Sequence, residues 1–175
     1  MKLFNRISMV LIGMVMIGLI LGCQSNPLSP TAPTDAGSVR LIQASPAVLG
    51  LAKGALKVET MVSAEEGATL SIQGNYVRIP AGALAQDMRM TFTISITPQN
   101  ELQFQVEGEG VQPGEHIYFQ DGKLSTVAVS KKWLAESPDT GINVGTWEQY
   151  AVSATSTQYL FQVPHFTTYG WGIAD

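Results

Sequence analysis

The stretch VPHFTTY, residues 163–169, places three residue types in an order that could cut a peptide bond. Thr167 carries a hydroxyl and directly follows the bulky Phe166, while His165 lies one position further back. In such chemistry the hydroxyl of Thr167 attacks the carbonyl carbon of a strained Phe166 peptide, His165 takes the proton, and the resulting ester is hydrolysed. The alternative, which the residues leave open, is a closing β-strand in which Phe166 or Tyr169 fills the core.

Four large aromatic residues near the C-terminus form a second candidate site, a platform that would bind a glycan: Trp147, Tyr150, Tyr169 and Trp171. Residues of one parity share a face of a strand. An outward platform would therefore place Tyr169 and Trp171 on the side of His165 and Thr167, with Phe166 pointing inward. The alternative is that these aromatic side chains fill the core, since large aromatics are mostly buried.

Metal binding finds little support in the sequence. His116 and His165 are the only histidines, and we expect them in separate strands without a clustered partner. The nearby acids do not follow the spacing of a calcium loop and are expected to be solvated: Glu107, Glu109, Glu115 and Asp121. No G-x-S-x-G, phosphate-binding loop or H-E-x-x-H motif occurs. The sequence therefore predicts no metal, no cofactor and no enzymatic turnover.

The N-terminus predicts the compartment. Lys2 and Arg6 precede an apolar run at 7–22, which is shorter than the roughly 20 residues that a spanning helix needs. The run ends in LILGC, where Cys23 is the only cysteine. It resembles the bacterial lipoprotein signal, which implies a signal peptide at 1–22, cleavage before Cys23, and fatty acylation of its thiol. Gln24, rather than Asp, resembles lipoproteins sorted to the outer membrane, so the chain is expected there, facing the periplasm or the outside.

Residues 23–38 are predicted to be the acylated cysteine and a flexible tether. The stretch QSNPLSPTAPTDAGS is rich in Pro, Ser and Thr and has too few apolar residues to bury. Removal of residues 1–22 removes Lys2 and Arg6 and no acid, which takes the net charge from −4 to −6. An acidic mature chain disfavours nucleic acid as a partner, and its membrane contact is expected through the lipid on Cys23.

Residues 39–175 are expected to form one all-β domain, an antiparallel β-sandwich. In MRMTFTISI, residues 88–96, apolar and polar side chains alternate over the whole stretch. ELQFQVE, residues 101–107, repeats the alternation after a Pro98-Gln99-Asn100 turn, so the two stretches are predicted to form a hairpin. Further strands are predicted at 55–62, 69–73, 76–79, 116–119, 124–129, 146–153, 158–163 and 166–172.

Turn residues separate these strands. We expect a type I turn at 79–82, a type II turn at 112–115, and a tight hairpin at Asp121-Gly122. A short helix is predicted within SKKWLAES, residues 130–137. Many short strands punctuated in this way indicate a sandwich or a partly open barrel.

Three stretches in order resemble the ZU-type β-sandwich of zonula occludens proteins, ankyrins and netrin receptors: residues 65–84, 102–129 and 163–171. The sharpest match is the turn IPAGAL at 79–84. Some ZU-type domains cut themselves within a His-Phe-Ser stretch, which His165, Phe166 and Thr167 match with Thr in place of Ser. The resemblance also implies protein contacts.

The expected function is a lipid-anchored envelope protein that presents a non-enzymatic interaction or structural module. Two alternatives stay open: a domain that cuts itself between Phe166 and Thr167, and a module that binds glycans or the cell wall. Envelope proteins and glycans are the expected partners.

Overall fold

The computed structural model describes residues 38–50, 54–112 and 115–174. The strands are β1 (Val39–Leu41), β2 (Leu56–Val62), β3 (Ala68–Ile72), β4 (Asn75–Ile79), β5 (Met88–Ile96), β6 (Leu102–Gly108), β7 (Ile117–Tyr118), β8 (Ser125–Ser130), β9 (Thr140–Asn143), β10 (Gln149–Ala151), β11 (Ser153–Ala154), β12 (Gln158–Val163), β13 (His165–Phe166) and β14 (Thr168–Ala174). A short helix α1 spans Pro46–Leu49, and 3-10 turns span Gln120–Gly122 and Lys131–Trp133. The predicted signal peptide, Cys23 and the predicted tether up to residue 37 lie outside the described residues.

The strands form two large antiparallel sheets. The first has seven strands in the order β10-β9-β14-β6-β5-β2, with β1 also paired to β14. The second has five strands in the order β11-β12-β8-β4-β3, and β13 pairs separately with β7. The two large sheets bury their apolar faces together, so the expected all-β antiparallel sandwich is confirmed.

The core is built from the alternation seen in the sequence. Met90, Phe92 and Ile94 of β5 are fully buried, and the polar residues between them are not. The β5–β6 hairpin is confirmed, with Phe92 opposite Val106 and Ile94 opposite Phe104. The rings of Phe92 and Phe104 meet edge to face, 5.3 Å apart at their centroids. This hairpin supplies a large part of the inner face of the first sheet.

The last strand, β14, lies inside its sheet rather than at an edge. One flank of β14 pairs first with β6 and then with β1, and the other flank pairs with β9. Tyr169 and Trp171 point into the core, while Gly170 and Gly172 face the other way. A Cβ at Gly172 would collide with Ile142 of β9, so glycine allows this close approach.

Two turn predictions need correction. The turn at 79–82 lies one residue later, because Ala83 N donates to Pro80 O at 3.2 Å. Its second central residue, Gly82, has a φ of +69°, which identifies a type II turn rather than type I. Asp121 and Gly122 are both left-handed, as in a type I′ turn. They do not make a hairpin, because β7 pairs with β13 whereas β8 pairs with β12 and β4.

Other sequence predictions hold only in part. The helix predicted at 130–137 is a single 3-10 turn, because Leu134 is extended and bridges to Ala44. The strand predicted at 146–153 is split into β10 and β11. Strands β1 and β9 were not predicted. The central residues of the turn predicted at 112–115 lie outside the described residues, although Glu115 N donates to Gln112 O at 3.0 Å.

Candidate functional site

The stretch His165-Phe166-Thr167 lies at a break between two strands. His165 pairs with Tyr118 and Phe166 pairs with Ile117, which makes the short β13–β7 ladder. The chain then bends at Thr167 before β14 begins. This bend interrupts the alternation that was expected along the last strand. Phe166 and Tyr169 are therefore both buried in the core.

The two histidines lie together, contrary to the expectation that they have no clustered partner. The ring centroids of His116 and His165 are 4.7 Å apart, and those of Tyr118 and His165 are 5.1 Å apart. The cause is the β13–β7 pairing, which sets His165 opposite Tyr118, two residues after His116. With Asn143 and Tyr169 these residues form what is called here the histidine cluster: His116, Tyr118, Asn143, His165 and Tyr169.

Asn143, at the end of β9, fixes the protonation pattern of His165. Asn143 Oδ1 accepts hydrogen bonds from the backbone N–H groups of Gly145, at 3.0 Å, and Thr146, at 3.3 Å. Because backbone N–H groups only donate, this orients the amide so that Asn143 Nδ2 faces His165 Nε2 at 3.3 Å. An amide nitrogen also only donates, so Nε2 is the accepting nitrogen. From this network His165 is assigned as neutral, with its proton on Nδ1.

The environment of His165 disfavours its charged form. The side chain is only 5% exposed. Burial lowers the pKa of His165 below its ordinary value, and a charge on His116 would lower it further, while the carboxylate of Glu148 raises it in part. The Nδ1 atoms of both histidines are buried without a hydrogen-bond partner in the described part of the chain. Among the described residues, no acceptor hydrogen-bonds to Nδ1 of His165, and Glu148 offsets a positive charge only in part.

The buried Tyr169 and the half-buried Tyr150 are hydrogen-bonded in and beside the histidine cluster. Tyr169 OH donates to the backbone carbonyl of His165, which ties the start of β14 to β13. Tyr150 OH donates to Glu148 Oε2 at 2.7 Å. Burial raises the pKa of Tyr169, and that of Tyr150 is raised first by burial and then by the bond to Glu148. Both therefore act as neutral hydroxyls that donate, not as bases.

Thr167 lies beside a cleft that His165 does not line. This cleft has a volume of about 320 Å³, and its rim includes Glu107 and Glu115. The backbone carbonyl of Thr167 accepts from Val106 N at 3.3 Å. His165 offers Thr167 no unoccupied lone pair, because Nε2 accepts from Asn143 and Nδ1 holds the proton. Self-cleavage stays a prediction, and it would require Asn143 to release His165 first.

The four aromatic residues do not form one exposed platform, and the alternative, in which such side chains fill the core, is confirmed for Tyr169 and Trp171. Tyr169 and Trp171 are fully buried, and Phe161 packs against both at centroid distances of 5.7 and 4.6 Å. Tyr150 is half-buried and stacks on Phe161 at 5.7 Å. The bend at Thr167 is the reason, since it turns the aromatic face of β14 inward. Trp147, which is 53% exposed, is the one member of the candidate platform with most of its accessible surface in solvent.

The acidic residues that the structure describes form no metal site. In the described ranges no group of three or more His, Cys, Asp or Glu side chains could hold a metal ion. Glu109 lies 3.3 Å from Arg89, and Gln105 donates to Glu107 at 2.8 Å. Cys23 lies outside the described residues. Of the helices that are described, none is long and apolar enough to cross a membrane.

Sequence reasoning missed Asn143 and Tyr118. Tyr118 is 70% exposed although its ring lies against His165. Asn143 could have been found from the local sequence Asn-Val-Gly, since Asn often accepts from the backbone two residues on. Nothing local links either residue to His165. Their meeting is a consequence of tertiary pairing.

The three stretches 65–84, 102–129 and 163–171 predict a ZU-type relative, and that resemblance remains a prediction. No family model, curated protein or solved structure matches this chain.

Proposed function

We propose that this chain is a lipid-anchored protein of the bacterial cell envelope that displays a non-enzymatic, ZU-type β-sandwich as an interaction or structural module. The observation that carries the proposal is the position of β1. This strand begins at Val39, directly after the predicted tether, and pairs with β14 in the interior of the larger sheet.

The proposed anchor is Cys23. Acylation at the sulfur and at the new amino group would supply more than one fatty chain, and a single chain gives only marginal membrane binding. The proline-rich tether would then hold the sandwich away from the bilayer surface at about 3.1 Å per residue where it is extended. This arrangement suits a module that has to reach a partner.

The attachment of β1 suits a tethered module. Val39, Arg40 and Leu41 pair with the last residues of β14, and Ile42 N donates to Trp171 O at 2.7 Å. Arg40 also binds Glu136 through two hydrogen bonds of 3.1 and 2.8 Å. A load that arrives through the tether would therefore pass into an interior strand of the sheet. A tether that entered at a loose edge would peel that edge away.

The exposed aromatic residues suggest where a partner would bind. Tyr118 and Trp147 present 70% and 53% of their surface to solvent, although residues of this kind are mostly buried. Tyrosine and tryptophan are enriched in protein interfaces because they combine a large apolar area with a polar group. The two residues supply the proposed contact with an envelope protein.

The anchor is tested in the full chain, expressed in a bacterium beside Cys23→Ser, with Ser25→Ala as the matched control. We expect the wild type and Ser25→Ala to fractionate with the outer membrane. Their N-terminal peptide should begin at Cys23 and carry fatty acyl mass. Cys23→Ser should lose that mass. A wild-type chain without acyl mass, or with residues 1–22 retained, would overturn the anchor.

A glycan partner is the second candidate, supported by the exposure of Trp147. Its test is co-sedimentation of the full chain with purified peptidoglycan. Trp147→Ala should lose binding, while Met61→Ala, which removes another exposed apolar side chain, should retain it. Absence of binding by the wild type would remove this candidate and leave the protein partner.

A further inference from the structure

We propose that Asn143, His165 and the Asn143 turn, residues 143–148, form a proton-operated latch that is closed while His165 is neutral and opens when His165 takes up a proton. Opening releases the turn that carries the exposed Trp147. The inference goes beyond the proposed function and does not depend on the lipid anchor.

The closed latch uses both ends of one amide group. Asn143 Oδ1 holds the N–H groups of Gly145 and Thr146, and Asn143 Nδ2 donates to His165 Nε2. The backbone of the turn closes over the same residue, because Trp147 N donates to Asn143 O at 2.7 Å. Asn143 is fully buried, so water does not replace these bonds while the latch is closed. The state of His165 and the shape of the turn are therefore linked through one side chain.

Protonation of His165 is incompatible with this arrangement. A proton on Nε2 would point at the N–H groups of Asn143 Nδ2, so that two donors face each other. Rotation of the amide would bring Asn143 Oδ1 to His165 but would place Nδ2 against the N–H groups of Gly145 and Thr146. In either case the turn or the histidine loses its partner. A buried group without a partner is costly, so the amide is expected to withdraw.

The other groups around His165 do not rescue its charged form. The titratable side chains that face His165, or its neighbours Asn143 and Tyr169, come from the β7 segment, the Asn143 turn, β10 and β14: His116, Tyr118, Glu148, Tyr150 and Tyr169. Glu148 is the only carboxylate among them, and its Oε2 already accepts from Tyr150 OH. Tyr169 OH is committed to the His165 carbonyl. The balance favours neutral His165, in line with its lowered pKa.

The Asn143 turn has a reason to move once it is released. Trp147 has a φ of +60°, a left-handed backbone conformation that residues with bulky side chains rarely adopt. The Asn143 side chain holds the turn together with two backbone bonds, Trp147 N to Asn143 O at 2.7 Å and Asn143 N to Glu148 O at 2.9 Å. When the side-chain bonds are lost, the backbone bonds alone hold the turn, which makes it easier for Trp147 to leave the left-handed region. Acidification would thus change the position of an exposed aromatic residue.

The first test uses ¹⁵N-labelled full chain in detergent micelles, with His116→Gln to assign the two histidines. At pH 8 we expect the ring of His165 to be protonated at Nδ1. As the pH falls, His165 should titrate below the ordinary histidine range, and the amide signals of Gly145 and Thr146 should shift with the same midpoint. The amide of Leu70, in the other sheet, is the reference and should not follow that midpoint. A proton on Nε2 at pH 8, or amides of the turn that do not follow His165, would overturn the latch.

The second test uses a variant in which residue 143 should favour the protonated form of His165 instead of the neutral form. In Asn143→Asp one carboxylate oxygen keeps Gly145 and Thr146 while the other accepts from His165 Nε2. Protonated His165 should then be favoured, and its titration midpoint should rise above that of the wild type. Asn75→Asp is the matched control, because Asn75 is also fully buried and, within the described part of the chain, its side chain bonds to Ile72 and Ser130 and not to a histidine. A midpoint that rises equally in both variants, or falls in Asn143→Asp, contradicts the latch. If Asn143→Asp does not fold, the wild-type measurement decides alone.

Discussion

In the β5–β6 hairpin, one face of each strand is apolar and the two strands are joined by a short turn. In the histidine cluster, the side chains are polar and come from segments far apart along the chain. His165 and Asn143, for example, are separated by 22 positions. The hairpin is held by burial, which is non-directional, and the cluster is held by hydrogen bonds, which are directional. The first therefore tolerates small shifts, and the second depends on which atom carries a proton.

The two regions also differ in how completely their groups are paired. The core side chains of the hairpin pack against apolar neighbours, as Phe104 does with Phe92 and with Trp171 of β14. Among the described residues, His116 Nδ1 and His165 Nδ1 of the cluster are buried without a hydrogen-bond partner, and in the core so is the indole Nε1 of Trp171. Buried polar groups that lack a partner are uncommon in folded proteins and call for an explanation. The comparison indicates that stability is concentrated in the hairpin and responsiveness in the cluster.

The largest effect is expected from the hairpin core. Phe104→Ala should lower the free energy of unfolding by about 3–5 kcal/mol, because it removes a buried ring and leaves a cavity. Urea unfolding of the full chain in detergent, followed by tryptophan fluorescence, measures the change. Gln103→Ala, on the outer face of the same strand, should change the free energy by no more than about 0.5 kcal/mol. Equal losses in the two variants would contradict the assignment of the faces.

The hairpin could be predicted from the sequence, whereas the histidine cluster could not. The period of two in residues 88–96 fixes which side chains are buried, because neighbouring strands of a hairpin need only a local turn. The burial of Tyr169 and Trp171 could not be derived in this way. The bend at Thr167 shifts the alternation by one residue, and nothing in VPHFTTY marks it. The meeting of His165 with Tyr118 and Asn143 depends on strand pairing over long separations, which a single sequence does not encode locally.

The next effect is a dependence of the free energy of unfolding on pH, caused by His165 of the histidine cluster. The folded pKa of His165 lies below that of the unfolded chain. Its contribution to stability is therefore complete above about pH 6.5 and is lost as the pH falls from there toward the folded pKa, because the unfolded state binds more protons in this window. For one proton the slope is at most about 1.4 kcal/mol per pH unit.

Urea unfolding at several pH values between 5 and 8 measures this slope. His165→Gln is the control, since it removes the titrating group and leaves every other one in place. The wild type should lose more stability than His165→Gln as the pH falls. Parallel curves for the two proteins would mean that His165 is not coupled to folding.

A smaller effect is expected at Trp147, which lies in the Asn143 turn beside the histidine cluster. A side chain in the left-handed region costs roughly 1 kcal/mol relative to glycine. Trp147→Gly should therefore be more stable than Trp147→Ala by about that amount. The two variants remove the same exposed ring, so their difference in urea unfolding isolates the backbone. A difference of the opposite sign would contradict the left-handed conformation of residue 147.

The last prediction is that nothing happens at the Phe166–Thr167 bond. This bond lies between β13, which carries His165, and β14, which pairs with β6 of the hairpin. Because His165 Nε2 accepts from Asn143, His165 is not set to take the proton of Thr167, and we expect the bond to stay intact. A test under native conditions would be blind to cleavage, since residues 168–174 would stay paired with β1, β6 and β9 and keep Tyr169 and Trp171 buried. The measurement is therefore the intact mass of the full chain under denaturing conditions, beside Thr167→Ala and Asn143→Ala. Cleavage of the wild type but not of Thr167→Ala would mean that His165 can activate Thr167 despite Asn143. Cleavage that appears only in Asn143→Ala would show instead that Asn143 restrains Thr167 as a latent nucleophile. The histidine cluster would then protect the Phe166–Thr167 bond, next to which Val106 of the hairpin donates to Thr167 O.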